Sequence, residues 1–179
     1  VERFREFIAA PGPVGVEVGF DFGHRILDHA TRWPEVRWIG IEVRKARVEQ
    51  LAERAPANLL AWRADARTVF NQLMPAGRLS QVDIMFPTPW WDENKRAKRL
   101  LITPQFVGDL VTSLAADGVV HFATDVPGYS VHAEQVFAGW TLTEPGLSGE
   151  GLSRRQNVCA RDSIPVHHAW FGRPGDDFP

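Results

Sequence analysis

Short apolar runs alternate with amphipathic helical stretches along this chain, and that alternation constrains the fold more than any other feature. Val14 to Val18 is the first run and leads into a glycine loop, Gly19-Phe20-Asp21-Phe22-Gly23. A helical stretch follows, with Ile26, Leu27 and Ala30 on one face. Arg37 to Ile41 reads as a second strand closed by Glu42, after which Val48, Leu51, Ala52 and Ala55 recur at helical spacing. Leu59 to Trp62, Val82 to Phe86 and Val119 to Ala123 are further strand candidates, and Ile164 to Phe171 is the last. Thr103 before Pro104 marks a helix start, with Val107, Leu110, Val111 and Leu114 on the face behind it. Tyr129, Ala133, Val136 and Phe137 mark another helix, and residues 145 to 157, rich in glycine and polar side chains, read as a loop.

This order predicts one α/β domain over residues 1–179, with a mostly parallel sheet, right-handed crossovers and helices on both faces. Ligands of such sheets sit beyond the carboxyl ends of the strands. The distinctive residues all fall at those ends: Glu17 to Gly19, Glu42, Asp65, Pro87 to Trp91, and Thr124-Asp125.

Composition narrows the function classes. The single cysteine, Cys159, excludes an intramolecular disulfide and a cysteine-rich metal site. The six histidines show no ligand spacing with cysteine or carboxylates, so no metal is expected. A net charge of −2 lacks the basic surplus of a dedicated nucleic-acid binder. No apolar run approaches a membrane span, and Val1 to Ile8 lacks the layout of a signal peptide, so the cytoplasm is the expected location.

A glycine loop between a first strand and a first helix commonly cradles part of a nucleotide. Glu42, about 20 residues past Gly23, is placed to bind ribose hydroxyls, or else serves as a helix cap or first-turn carboxylate. Glu17 argues against a dinucleotide, because a carboxylate beside the glycines would repel a pyrophosphate. It suits the ammonium of an amino-acid moiety instead. S-adenosylmethionine (SAM) carries that ammonium, a sulfonium and no phosphate. Asp65 is placed to accept from an adenine amino group, or simply caps the helix that begins at Ala66.

Several stretches then resemble the bacterial tRNA (guanine-N7) methyltransferases, in family order from about residue 14 to residue 138. They are Val16 to Phe20 with Gly23, Ile39 to Val43, Asp65-Ala66, Phe86-Pro87-Thr88-Pro89-Trp90, Lys98-Arg99, and Ala123-Thr124-Asp125 with Tyr129. The resemblance implies a Rossmann-like class I methyltransferase fold with a seven-stranded sheet and SAM as donor. It implies that Glu17, Gly19, Phe20, Gly23, Glu42, Val43, Asp65, Ala66 and Phe86 hold the cofactor. Pro87, Thr88, Pro89, Trp90, Trp91, Thr124, Asp125 and Tyr129 would face the acceptor, with Asp125 as the catalytic candidate.

The chain also departs from the family pattern. Thr88 stands where the family loop has aspartate, and Asp92 and Asn94 stand where it has basic residues. Asp21 replaces the middle glycine of the cofactor loop, and no family Thr-x-x-Glu element is evident around Ser153 to Arg161. Losing cationic loop residues weakens phosphate binding. The expected acceptor is therefore a small planar nitrogen heterocycle, purine-like, rather than tRNA. A divergent tRNA enzyme and a non-catalytic SAM-binding subunit are the alternatives, and a homodimer is left open.

Overall fold

Val14–Val18 (β1) and Arg37–Glu42 (β2) pair in parallel, placing Glu17 beside Gly40 and Val18 beside Ile41. The computed structural model describes residues 1–88, 100–148 and 153–174. Leu59–Arg63 (β3) extends the sheet beyond β2, and Leu79–Met85 (β4) pairs with β1 on the other side. Leu114–Thr124 (β5) follows β4 in parallel, with a register shift between Leu79 and Gln81. His167–Gly172 (β7) then pairs antiparallel with β5, and the two-residue Thr141–Leu142 (β6) closes the edge. The strand order is β3-β2-β1-β4-β5-β7-β6. This is the mostly parallel, seven-stranded sheet expected.

The helices are Glu2–Ala9 (α1), His24–Arg32 (α2), Lys45–Ala52 (α3), Ala66–Gln72 (α4), Pro104–Ser113 (α5), Pro127–Val136 (α6) and Arg154–Arg161 (α7). Side chains alternate across each strand, so two cores form. Val14, Val16, Val18, Val82, Ile84, Val120 and Phe122 join the larger core, with Phe4 and Ile8 of α1, Val69 of α4, Phe106 and Leu110 of α5, and Tyr129 of α6. Trp38, Ile26 and Leu51 form the smaller core, where α2 and α3 cover the opposite face. Trp38 lies flat enough on the sheet that a Cβ at Gly15 would stand 2.4 Å from its ring.

Several boundaries differ from the sequence reading. Leu114 starts β5 rather than ending α5, and Phe86 leaves β4 with φ of 52°, a left-handed conformation that costs a bulky residue energy. The expected loop over 145–157 contains the start of a helix. Ser153 accepts from Gln156 N while the Gln156 side chain accepts from Ser153 N, a capping box that nucleates α7. Helix α1 has no counterpart in the sequence reading. Its fully buried apolar residues are Phe4 and Ile8, and much of its anchorage comes from Arg78, which donates to the carbonyls of Ile8, Ala10 and Gly12 at 2.7–2.8 Å. Among the described residues, no helix is long and apolar enough to cross a membrane.

Candidate active site

The carboxyl ends of β1, β2, β4 and β5 open into one cleft of about 820 Å³, within the range of ligand pockets. Its lining includes Glu17, Gly19, Phe20, Asp21, Glu42 and Val43 on one side and Phe86, Pro87, Thr88 and Asp125 on the other. A smaller recess of about 260 Å³ continues past Glu42 and Val43 to Asp65, Ala66 and Leu101. Gly19, at φ of 73°, faces it with bare backbone, since a Cβ there would meet no other atom within 4 Å. Asp21 takes the left-handed conformation in place of the loop glycine, at φ of 49°.

Glu17 is 1% exposed, and its Oε2 has no hydrogen-bond partner among the described residues. Burial pushes its carboxyl up to about 8, against the opposing charge of Arg25 and the backbone N–H of Ile26 at the first turn of α2. The other carboxylates of the cleft are each engaged by an arginine. Glu42 accepts from the backbone N, Nε and Nη2 of Arg44 at 3.0–3.1 Å, and these bonds outweigh its partial burial, so its pKa falls. Arg44 also donates to Asp21 at 2.9 Å, and Arg47 lies 3.2 Å from the same oxygen. Asp125 accepts from Nε and Nη2 of Arg155, which hold its carboxyl below the usual range. Asp65 caps α4 by accepting from Arg67 N and binds the Arg67 guanidinium, which lowers its pKa while its side chain still lines the recess.

Other expected residues serve the scaffold. Gly23 is the left-handed N-cap of α2, packed so closely that a Cβ would stand 2.7 Å from Leu51, and it does not line the cleft. Thr124 is buried, and its hydroxyl accepts from Val126 N. Tyr129, expected at the acceptor face, is fully buried in the larger core. Its oxygen accepts from Ile102 N, and burial raises its hydroxyl to about 12. Its ring packs edge-on against Phe122, and it does not appear in the lining of the cleft. Pro89, Trp90 and Trp91, like Asp92, Asn94, Lys98 and Arg99, lie outside the described residues.

Two groups of functional candidates were missed. Arg154 and Arg155, at the start of α7, line the mouth of the cleft, and Arg154 sits 5.3 Å from the Phe22 ring of the glycine loop. The Ser153-x-x-Gln156 capping box occupies the segment where no Thr-x-x-Glu element was evident, with the same i, i+3 spacing. Behind the cleft runs a polar row across four strands. Glu17 is registered with Asp83, Asp83 with His121, and His121 with Trp170. Arg25 of α2 lies 3.5 Å from Asp83 and donates to His121 Nδ1 at 3.2 Å, and His121 Nε2 is 3.0 Å from Nδ1 of the exposed His168. The signal for this row was a single polar residue inside each of three apolar runs.

Comparison with known proteins agrees with this architecture. Residues 11–147 match a family described as "putative methyltransferase". A tRNA (guanine-N(7)-)-methyltransferase of Idiomarina loihiensis is 35% identical over 150 residues, covering 81% of this chain and 61% of that protein. One of Chromohalobacter salexigens is 37% identical over 149 residues, covering 79% and 60%. The chain thus spans about three fifths of the length of these curated relatives. Among solved structures, the 16S rRNA methyltransferase KamB superposes with a TM-score of 0.67 at 17% identity, covering 97% of this chain and 93% of its own. The aminoglycoside resistance methyltransferase NpmB1 gives 0.63 at 18% identity, covering 96% and 92%. The fold is that of the Rossmann-like class I methyltransferases, and the chain belongs to the matched methyltransferase family.

Proposed function

We propose that this member of the family is a cytoplasmic SAM-dependent methyltransferase that methylates tRNA at N7 of a guanine. The observation that carries the reading is Glu17, a buried carboxylate with an unpartnered oxygen at the floor of a cleft of about 820 Å³. Such a group calls for a cation, and the ammonium of SAM is one. Gly19 leaves room for a ligand against its backbone, Glu42 would accept from ribose hydroxyls, and Asp65 with Ala66 lines the recess that would take adenine. When bound, SAM supplies an electrophilic methyl group on a cationic sulfur.

Guanine N7 already exposes a lone pair, so the protein needs no general base. What it must do is hold the ring in line with the methyl at about 3–3.5 Å and exclude water. Transfer of that methyl, with the N–C bond forming as the S–C bond breaks, would move positive charge from sulfur to the ring. Asp125, whose carboxyl Arg155 holds below the usual range, lines the cleft and would favour that charge. The small heterocycle expected from the loop residues finds no support among the relatives, which are named as tRNA methyltransferases. Arg154 and Arg155 supply cationic side chains at the cleft mouth, which offsets the loss of basic residues from the loop.

The test is incubation with methyl-labelled SAM and, separately, unmodified tRNA or free purines. Label in tRNA, recovered as N7-methylguanine on digestion, is expected. Label confined to a free heterocycle would overturn the acceptor assignment.

A further inference from the structure

We propose that cofactor binding expels a proton from Glu17, and that Arg25 is the positioning residue that poises Glu17 for this exchange. The inference rests on the SAM reading above and deepens it.

The argument is one of charge balance. Asp21 and Glu42 face Arg44 and Arg47 at the end of β2, and Asp125 faces Arg155 of α7. Glu17 alone among these cleft carboxylates has no guanidinium within ion-pair distance among the described residues. Its environment from α2 is Arg25 and the Ile26 N–H, with His29 one turn further along; from β4 it is Asp83, and from β5 it is His121 beyond Asp83. Arg25 must serve two carboxylates, and it lies 3.5 Å from Asp83. His29, pressed between Trp33 and Trp38, supplies no second cation, since burial lowers it to about 4. With Glu17 and Asp83 both ionised, this dry row would hold one negative charge too many. A proton on Glu17 removes that excess in the empty protein, consistent with a carboxyl raised to about 8.

An ammonium arriving in the cleft replaces that proton. The exchange balances: one cation enters, one proton leaves, and the row keeps its net charge. Arg25 sets how tightly the proton is held. It is anchored by Asp83 and by His121, which in turn contacts His168 of β7, so its guanidinium is held in the row behind Glu17.

The experiment is calorimetric titration of the folded protein with S-adenosylhomocysteine at pH 7 in two buffers of different ionisation enthalpy. We expect release of about one proton per ligand and an affinity that rises about tenfold per pH unit between pH 6 and 7.5. 5′-Methylthioadenosine, which lacks the ammonium, is expected to bind with no proton release. Tight binding of S-adenosylhomocysteine without buffer-dependent heat overturns the inference and leaves the cofactor reading intact, whereas absence of binding overturns both. Equal proton release with both ligands also overturns the inference. Arg25→Gln is expected to shift the affinity profile to higher pH, and Arg25→Lys to restore much of it. Should these variants fail to fold, Glu17→Gln decides the assignment: loss of the buffer-dependent heat supports Glu17, and its persistence overturns it.

Discussion

Glu17 and Asp83 are register partners on adjacent parallel strands, both buried, on the face of the sheet that α2 covers. Two carboxylates this close in a dry setting cannot both ionise without compensation, and Arg25 is the one guanidinium provided among the described residues. The charge of Arg25 helps hold Asp83 low despite its burial, while Glu17 is the member that rises. Part of this division follows from position, because Arg25 lies within 3.5 Å of Asp83.

This division makes stability depend on pH. The folded pKa of Glu17, about 8, lies above its unfolded value near 4.5. The folded protein therefore binds the proton more tightly, and the resulting stability is fully present below pH 4.5 and lost as pH rises through 8. Glu17→Gln, which mimics the protonated form, should abolish that loss. Thermal melts of the ligand-free protein are expected to show the variant gaining on the parent from pH 5 to pH 9, by on the order of a few kcal/mol.

His29 gives the opposite slope. Burial lowers its folded pKa to about 4, below the ordinary value of 6.5. Its contribution is present above pH 6.5 and is lost as pH falls through 4, because the unfolded chain takes up the proton first. His29→Gln should flatten denaturation curves over that window by on the order of 1–3 kcal/mol. Part of this gain will be offset at neutral pH by lost stacking on Trp33 and Trp38. Urea midpoints at pH 4.5 and 7 for both proteins check it.

The strands and the strand-end residues that line the cleft were legible because their signals are local. A five-residue apolar run, a glycine at a left-handed turn and a carboxylate at a strand end can be read without knowing what lies beside them. Gly19, Glu42 and Asp65 stand on the cleft for that reason. Tyr129 was misread because its helix periodicity fixes a face but not which side of the sheet that face meets, and α6 turns it into the larger core. The row through Arg25, Asp83 and His121 was invisible because register across β1, β4 and β5 exists only once the strands pair. Even so, Glu17, Asp83 and His121 each interrupt an apolar run, and a buried polar residue in a central strand needs partners. Helix α7 was hidden because its one strong cue, Ser153 with Gln156, follows a glycine-rich stretch that reads as loop.

Tyr129→Phe separates a core role from an acceptor role. The oxygen accepts from Ile102 N at 3.4 Å, and its loss leaves that amide in a buried setting. The cost should be about 1 kcal/mol of stability, read as a lower melting temperature. Turnover per folded molecule and cofactor affinity should be unchanged, because the ring still packs against Phe122. A fall in single-turnover rate at full folding would return Tyr129 to the acceptor face.

Asp125 is best tested together with its arginine. Oδ2 of the carboxylate accepts from both Nε and Nη2 of Arg155, which ties Asp125 to α7 and holds its carboxyl below the usual range. Asp125→Asn keeps the size and loses the charge, so stabilisation of positive charge on the acceptor ring should fall while the cofactor pocket is untouched. We expect single-turnover methylation to slow by about 10- to 100-fold with cofactor affinity unchanged. Arg155→Ala should slow the reaction less, since Asp125 remains ionised, yet it should weaken RNA binding and reduce its salt dependence, because a cation at the cleft mouth is lost. A structural carboxylate would give a different pattern. Both substitutions would then lower the melting temperature together by breaking the α7 contact, and neither would change the rate of the folded enzyme.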